Sequence, residues 1–160
     1  PGEFVRLESG QEGRVRDVTW RNTTIETVSN DVVIVPNATL GKSVITNFST
    51  TSEEHHVILP VSVAYGGDLV HVERVARSVA EDVIRTAEGA VADFEPVVRF
   101  RDFADSGIEM VVVVRAASYP DRYVVRDALL KALHARFAAE GIEIPFPQRV
   151  VHMAESPAEG

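Results

Sequence analysis

The spacing of apolar residues changes near residues 50–54, and this change constrains the fold more than any other feature of the sequence. Before it, short β-branched segments alternate with polar turns, which is typical of strands joined by tight reversals. After it, two segments carry apolar residues three and four apart, as on one face of a helix. The sequence therefore predicts an α+β chain, with an all-β domain at 1–51, an α/β domain at 52–153 and a disordered tail at 154–160.

The first domain is predicted to contain five short strands. They are expected at residues 4–7, 13–20, 23–28, 32–35 and 43–49. An irregularity near Asp17 in the second strand suggests a β-bulge, and Ile25 and Val28 are candidate core residues of the third. Five short strands closed by tight turns favour a small barrel.

The turn between the last two of these strands has a distinct composition. Residues 32–35 are β-branched and apolar, as in a buried strand. Pro36 lacks a backbone donor and should end the pairing there. Asn37 suits a turn because its side chain can bond to nearby backbone, and Gly41 can take a positive φ. Since barrel corners commonly look like this, the turn by itself indicates structure and not function.

The second domain is predicted to have a β-α-β-β-α-β order, which is the ferredoxin-like layout. Its elements are expected at 57–64, 69–87, 97–103, 108–117, 121–140 and 149–153. Pro60 indicates that the first of these strands lies at a sheet edge or carries a kink. The nearly continuous apolar run at 108–117 suggests a central strand covered on both faces.

Both predicted helices have a recognisable buried face and end signals. Asp68 is a suitable N-cap for the first helix, and Gly141 follows the second at the usual position of a C-terminal glycine. Glu73–Arg77 and Glu81–Arg85 are spaced for ion pairs on the first helix. Its apolar face comprises Val72, Val75, Ala76, Val79, Ala80, Val83 and Ile84. That of the second helix comprises Val124, Ala128, Leu129, Leu133 and Phe137.

Composition excludes several classes of function. The net charge is −8, and both halves have more carboxylates than basic groups, which argues against nucleic acid or anionic lipid as a partner. There are no cysteines, so disulfides, thiolate nucleophiles and cysteine metal sites are excluded. No apolar run approaches the ~18 residues that a membrane-spanning helix needs. Because the chain starts with Pro1 just before a predicted strand, we expect an excised or processed fragment.

No catalytic, cofactor-binding or metal-binding residue can be nominated. His55 and His56 are adjacent, so in a strand they would point to opposite faces and could not easily chelate one ion; a solvated linker is the expected environment. Residues 65–68 precede a helix but lack the glycine spacing and lysine of a phosphate-binding loop. Five carboxylates near the central hairpin form either a solvated rim or a charged edge beside an ion path. They are Asp93, Glu95, Asp102, Asp105 and Glu109.

An ordered set of short motifs spans nearly the whole chain. It comprises Gly2-Glu3-Phe4-Val5, Glu12-Gly13-Arg14-Val15, Arg21-Asn22-Thr23-Thr24, Val35-Pro36-Asn37, Asn47-Phe48-Ser49 and, near the end, Gly141-Ile142-Glu143-Ile144-Pro145-Phe146-Pro147-Gln148. Together these motifs resemble the cytoplasmic part of the small-conductance mechanosensitive channel family (MscS-like). The resemblance implies an Sm-like β domain followed by an α/β domain.

The resemblance also implies a function and partners. It implies that the protein is not an enzyme but an ion channel that opens under membrane tension to relieve osmotic pressure. The channel would lie in the cell (inner or plasma) membrane, anchored by transmembrane helices that precede this segment. The segment would lie on the cytoplasmic side and form a vestibule with its own copies, seven in the family pattern. The strand at 149–153 would pair with its copies around the axis. Two alternatives remain open, namely a freestanding soluble binding module and an enzyme of ferredoxin-like fold.

Overall fold

A computed structural model describes residues 1–49 and 53–147. The predicted domain boundary at 51 and 52, the predicted strand at 149–153 and the predicted tail at 154–160 lie outside these residues. The described part consists of an N-terminal β-sheet domain followed by an α/β domain. The predicted α+β class is therefore confirmed.

The N-terminal domain is a five-stranded antiparallel sheet. Its elements are β1 (Phe4–Leu7), β2 (Glu12–Val18), β3 (Asn22–Thr27), β4 (Val32–Pro36), the short helix α1 (Asn37–Leu40) and β5 (Ile45–Asn47). The strand order is β4-β3-β2-β1-β5, so within residues 1–49 the two edges, β4 and β5, are not hydrogen-bonded to each other. The register of β2 against β3 shifts between Val15 and Asp17, which confirms the predicted bulge.

The core of this sheet is small, and two expectations about it were wrong. It consists of Val5, Leu7, Val15 and Ile25. Val28 is 62% exposed because it follows the end of β3 and lies in the turn to β4. Strand β4 was expected to be buried, but Val32 and Ile34 are 61% and 63% exposed. Successive side chains of a strand point to opposite faces of the sheet, so Val33 and Val35 pack against the core and Val32 and Ile34 point away from it.

The segment after β4 also differs from the predicted tight turn. Asn37 begins α1, and Gly41 has a φ of −64°, so the expected positive φ does not occur. The Asn37 side chain bonds across the sheet and not to nearby backbone. Its Nδ2 donates to the Thr19 carbonyl at 2.8 Å, and its Oδ1 accepts from Thr23 Oγ1 at 2.9 Å.

Up to residue 147, the C-terminal domain packs two helices on a three-stranded antiparallel sheet. Its elements are β6 (His55–Val63), α2 (Leu69–Thr86), β7 (Val97–Ala104), β8 (Gly107–Ala116) and α3 (Asp121–Glu140). Among the described residues the strand order β6-β8-β7 makes β8 central and leaves β6 at an edge, one of the two positions that Pro60 predicts. The helices contact each other and the sheet. Residues of β8 alternate between buried and half-buried, so the expectation that both faces are covered was wrong.

The helix faces largely follow the sequence pattern. All seven apolar residues predicted for α2 are buried, and the Asp68 carboxylate caps its first turn by accepting from the backbone N–H groups of Val70 and His71. In α3, Val125 is buried and Val124 is 52% exposed, so the predicted face was wrong at its first residue. Four-residue steps back from Phe137 lead to Val125.

Of the remaining local predictions, two are confirmed and one was wrong. Gly141 has a φ of 67° at the end of α3, in the left-handed conformation expected there. The Glu73–Arg77 pair forms at 3.1 Å. Arg85, however, pairs with Asp82 and not with Glu81, because both spacings of three and four place side chains on the same helix surface.

Candidate functional site: the joint between the domains

Aromatic and charged side chains from both domains meet at one place, which we call the joint. The β domain contributes two strands and the segment after β5, and the α/β domain contributes the start of β6 and the start of α3. The joint consists of Phe4, Arg6, Glu12, Phe48, His55, Tyr119 and Tyr123.

Tyr119 forms the aromatic part of the joint with two phenylalanines of the β domain. Its ring centroid lies 4.8 Å from that of Phe4 and 4.0 Å from that of Phe48, and both pairs are stacked. His55 meets the Tyr119 ring edge-on at 5.5 Å. Tyr119 is only 3% exposed. A side chain of the α/β domain therefore packs against two aromatic rings of the β domain.

Glu12 forms the polar part of the joint. Its Oε2 accepts from Tyr119 Oη at 3.0 Å and from Arg6 Nε at 2.8 Å, and its Oε1 accepts from Tyr123 Oη at 2.7 Å. Arg6 Nη2 also donates to Tyr119 Oη at 2.6 Å. Both carboxylate oxygens are thus bound by donors, and both tyrosines that reach them belong to the other domain.

These contacts shift the pKa values of the groups involved. Burial by itself would raise the pKa of the Glu12 carboxyl, but the hydrogen bonds from Tyr123, Arg6 and Tyr119 outweigh it and leave that pKa lowered. The hydrogen bond to Glu12, together with burial, raises the pKa of Tyr123 to about 12. Burial and the same carboxylate raise the pKa of Tyr119. The joint therefore favours an ionised Glu12 and neutral tyrosines.

Local structure holds the rings in place on each side. The Phe4 backbone N–H donates to Ser49 Oγ at 2.9 Å, and the Phe48 N–H donates to the Phe4 carbonyl at 2.8 Å, so pairing along β1 and β5 sets the two phenylalanines side by side. On the other side, Ser118 Oγ bonds to the Asp121 carboxylate at 2.5 Å. This contact fixes the turn that carries Tyr119 before α3 begins.

The sequence did not predict this site. Phe4, Glu12 and Phe48 lie within the quoted motifs, but Tyr119 and Tyr123 belong to none of them. A buried aromatic residue in the turn before a helix is the one local signal that could have drawn attention to Tyr119. Its hydrogen-bond partners Arg6 and Glu12 lie more than a hundred residues away in the chain, and periodicity carries no information at that range.

The two adjacent histidines lie in a strand and not in the solvated linker that was expected. Both belong to β6, where one contacts the joint and the other faces away from it. The His56 ring lies 5.4 Å from that of Phe94 and beside the Arg115 guanidinium. Within residues 1–49 and 53–147, no three histidine, aspartate or glutamate side chains are grouped so as to hold a metal ion.

The five carboxylates near the central hairpin are all exposed, but they do not form one group. Asp102 and Glu109 face each other across β7 and β8, and Asp105 lies in the turn that joins these strands. Asp93 and Glu95 precede β7, at the other end of the hairpin, roughly 20 Å away by the rise of a strand. The structure therefore brings together three of the five.

A second exposed feature is the outer edge of β4, defined by Val32 and Ile34. These two side chains point away from the core of the β domain on a strand that has a neighbour on one side only among the described residues. Exposed β-branched residues on an edge strand can associate with another chain.

No helix in the described residues is both long enough and apolar enough to cross a bilayer.

Two family models together match nearly the whole chain. The model described as "Mechanosensitive ion channel, beta-domain" matches residues 2–50, and the model described as "Mechanosensitive ion channel MscS, C-terminal" matches residues 57–144. The two matched segments correspond to the β-sheet domain and the α/β domain of the structure.

Individual relatives agree with the family models. A small-conductance mechanosensitive channel of Edwardsiella ictaluri is 32% identical over 155 residues, which cover 97% of this chain and 52% of the relative. The channel MscMJ of Methanocaldococcus jannaschii is 24% identical over 95% of this chain and 43% of its own length. The closed-state crystal structure of Helicobacter pylori MscS superposes with a TM-score of 0.79 at 23% identity, covering 97% of this chain and 59% of that one. The chain thus spans about half the length of the relatives it matches.

Proposed function

The chain belongs to the MscS family of mechanosensitive ion channels, and from this we propose that it forms the wall of a vestibule below the pore of such a channel. The observation that carries the proposal is the match of both family domains, in order, over nearly the entire chain. In the complete protein, a preceding membrane segment would form the pore and open under membrane tension to relieve osmotic pressure. The described domains would then lie on the cytoplasmic side and would carry out no chemical reaction.

We propose further that the wall is built from several copies of this chain, seven by the family pattern. The outer edge of β4 supports this proposal. Val32 and Ile34 expose apolar surface on a strand that a neighbouring β domain could cover, and burial of that surface would favour association. The residues at 149–153, which lie outside the described part of the chain, would add a short strand around the common axis. So short a strand needs partners to be stable.

The test is the oligomeric state of the full-length protein in detergent, measured by native mass spectrometry. We expect a closed ring of one size for the unaltered protein and smaller species for the double variant Val32→Asp/Ile34→Asp. Val70→Asp is the matched control, because Val70 is 79% exposed on α2, away from this edge. If the double variant assembles like the control, β4 does not form the interface. A monomeric full-length protein would instead favour a freestanding binding module.

Deletion of residues 149–160 tests the axial strand separately. We expect the ring to dissociate at a lower detergent or urea concentration, since the contact around the axis is lost.

Tension-activated currents in patches that contain the full-length protein test the channel activity itself. A ring that never conducts under tension would contradict the proposed channel activity but would not contradict the proposed assembly.

A further inference from the structure

The two domains have separate cores, and in sequence they are connected only by the polar segment around residues 50–54. Domains that are joined in this way change their relative orientation by default, unless their contact surface prevents it. Whether the β domain and the α/β domain move independently therefore depends on the joint. Its geometry restricts both tilting and rotation.

The aromatic contacts restrict tilting of one domain relative to the other. The rings of Phe4 and Phe48, both in the β domain, stack on the ring of Tyr119, and almost none of the Tyr119 surface reaches solvent. To tilt α3 away from β1, the Tyr119 ring would have to separate from Phe4 and Phe48 and expose the apolar surface of these rings to water. Such an exposure is unfavourable because aromatic rings contribute large apolar areas.

The polar contacts restrict rotation about the axis of α3. Tyr119 lies in the turn just before α3 and Tyr123 in its first turn, and both hydroxyls reach Glu12. They donate to different oxygens of the single Glu12 carboxylate. Two bonds to two oxygens define a direction as well as a distance, so a rotation that keeps one bond breaks the other. Arg6 holds the same carboxylate from the β-domain side.

We propose that the joint is an orientation lock, which makes the β domain and the α/β domain move as one rigid body. The lock follows from contacts within one copy of the chain and does not depend on the assembly of a channel. Its consequence for a channel, which does rest on the proposed function, is that a rotation of the β domain at the base of the pore would turn the α/β domain with it. The width of the openings between neighbouring copies would then change together with the pore.

The absence of cysteine makes a direct test possible, because two introduced cysteines are the only sites for spin labels. Ser29→Cys in the turn after β3 and Ser78→Cys on α2 are both exposed, and they place one label on each domain. The distribution of distances between the labels is measured by pulsed electron paramagnetic resonance. Labelled chain diluted into unlabelled chain removes distances between copies.

The variants Tyr119→Ala and Glu12→Gln break the aromatic and polar parts of the lock. We expect a narrow distribution in the unaltered chain, one at least about twice as wide in Tyr119→Ala, and an intermediate width in Glu12→Gln. Tyr65→Ala is the control, because Tyr65 is an exposed tyrosine whose contacts, with Phe103 and Ala104, stay within the α/β domain. If the loss of any tyrosine ring were enough to broaden the distance distribution, the Tyr65→Ala control would broaden by the same amount.

Each outcome decides the proposal. A Tyr119→Ala distribution as narrow as that of the Tyr65→Ala control would overturn the lock. If Tyr119→Ala does not fold, Glu12→Gln decides in its place, since glutamine keeps the shape of the side chain and loses one of the two acceptors. Because the measurement needs one folded chain and no ring, failure of the lock leaves the proposed vestibule untouched, and failure of the vestibule leaves the lock untouched.

Discussion

The two domains of this chain differ sharply in how much apolar surface they bury by themselves. The α/β domain has a core of twenty buried apolar side chains, and the β domain has a core of four. The β domain also exposes Val32 and Ile34 and places Phe4 in the joint, outside its own core. Small domains gain little stability from their cores. The comparison indicates that the β domain gains less stability from its own core than the α/β domain does.

The largest effect should come from the core of the α/β domain. Phe137 is fully buried on α3 between the helices and the sheet. Phe137→Ala should lower the free energy of unfolding by about 3–5 kcal/mol, through lost burial and the cavity left behind. Chemical denaturation measures the change. Phe103→Ala, at a side chain that is 76% exposed, is the control. Equal losses in both variants would show that the α/β core does not dominate stability.

An intermediate effect is expected in the β domain at Asn37. Asn37→Ala removes both side-chain bonds and leaves the buried Thr23 hydroxyl without its partner, which should cost about 1–3 kcal/mol. Hydrogen exchange should speed up in β2 and β3 and stay unchanged in α2 and α3. Pro36→Ala serves as the neighbouring comparison and should have a smaller effect, since Pro36 makes no such bonds. Unchanged melting for Asn37→Ala would contradict the structural role of this residue.

The smallest effect should be the pH dependence of the joint. Because the folded state lowers the pKa of Glu12, its contribution to stability is present above the ordinary glutamate range, about 4.3, and is lost as the pH falls through the lowered value. Tyr123 has a pKa raised to about 12, so its contribution is present below the ordinary tyrosine value of about 10 and is lost as the pH rises through about 12. The joint should therefore be most stable between about pH 5 and pH 10.

Calorimetric melting as a function of pH checks this dependence. The difference in melting temperature between the unaltered chain and Glu12→Gln should shrink as the pH is lowered from 6 to 3, to the extent that Glu12 takes up a proton. Glu8→Gln is the control, because Glu8 is an exposed glutamate in the turn after β1, outside the joint. A difference that stays constant with pH would show that the charge of Glu12 is not what holds the tyrosines.

Local patterns in the sequence predicted the helices and strands of the α/β domain up to residue 147. The buried face of α2 was predicted completely because a helix buries residues at a fixed spacing, and that spacing can be counted. The face of α3 was wrong only where Val124 and Val125 stand side by side, since either valine satisfies the pattern nearby. The ordered sequence motifs indicate the family of both domains, and the family models match the same two domains.

The sequence by itself thus determined the order of the strands and the two long helices up to residue 147, the buried face of α2, most of that of α3, and the family. Only the tertiary structure decided that β4 lies at an edge with Val32 and Ile34 exposed, and that Tyr119 and Tyr123 meet Glu12. The physical reason is the range of the information. A run of valines is the same in a central and in an edge strand, and a contact between residues more than a hundred positions apart arises only when both domains have folded against each other.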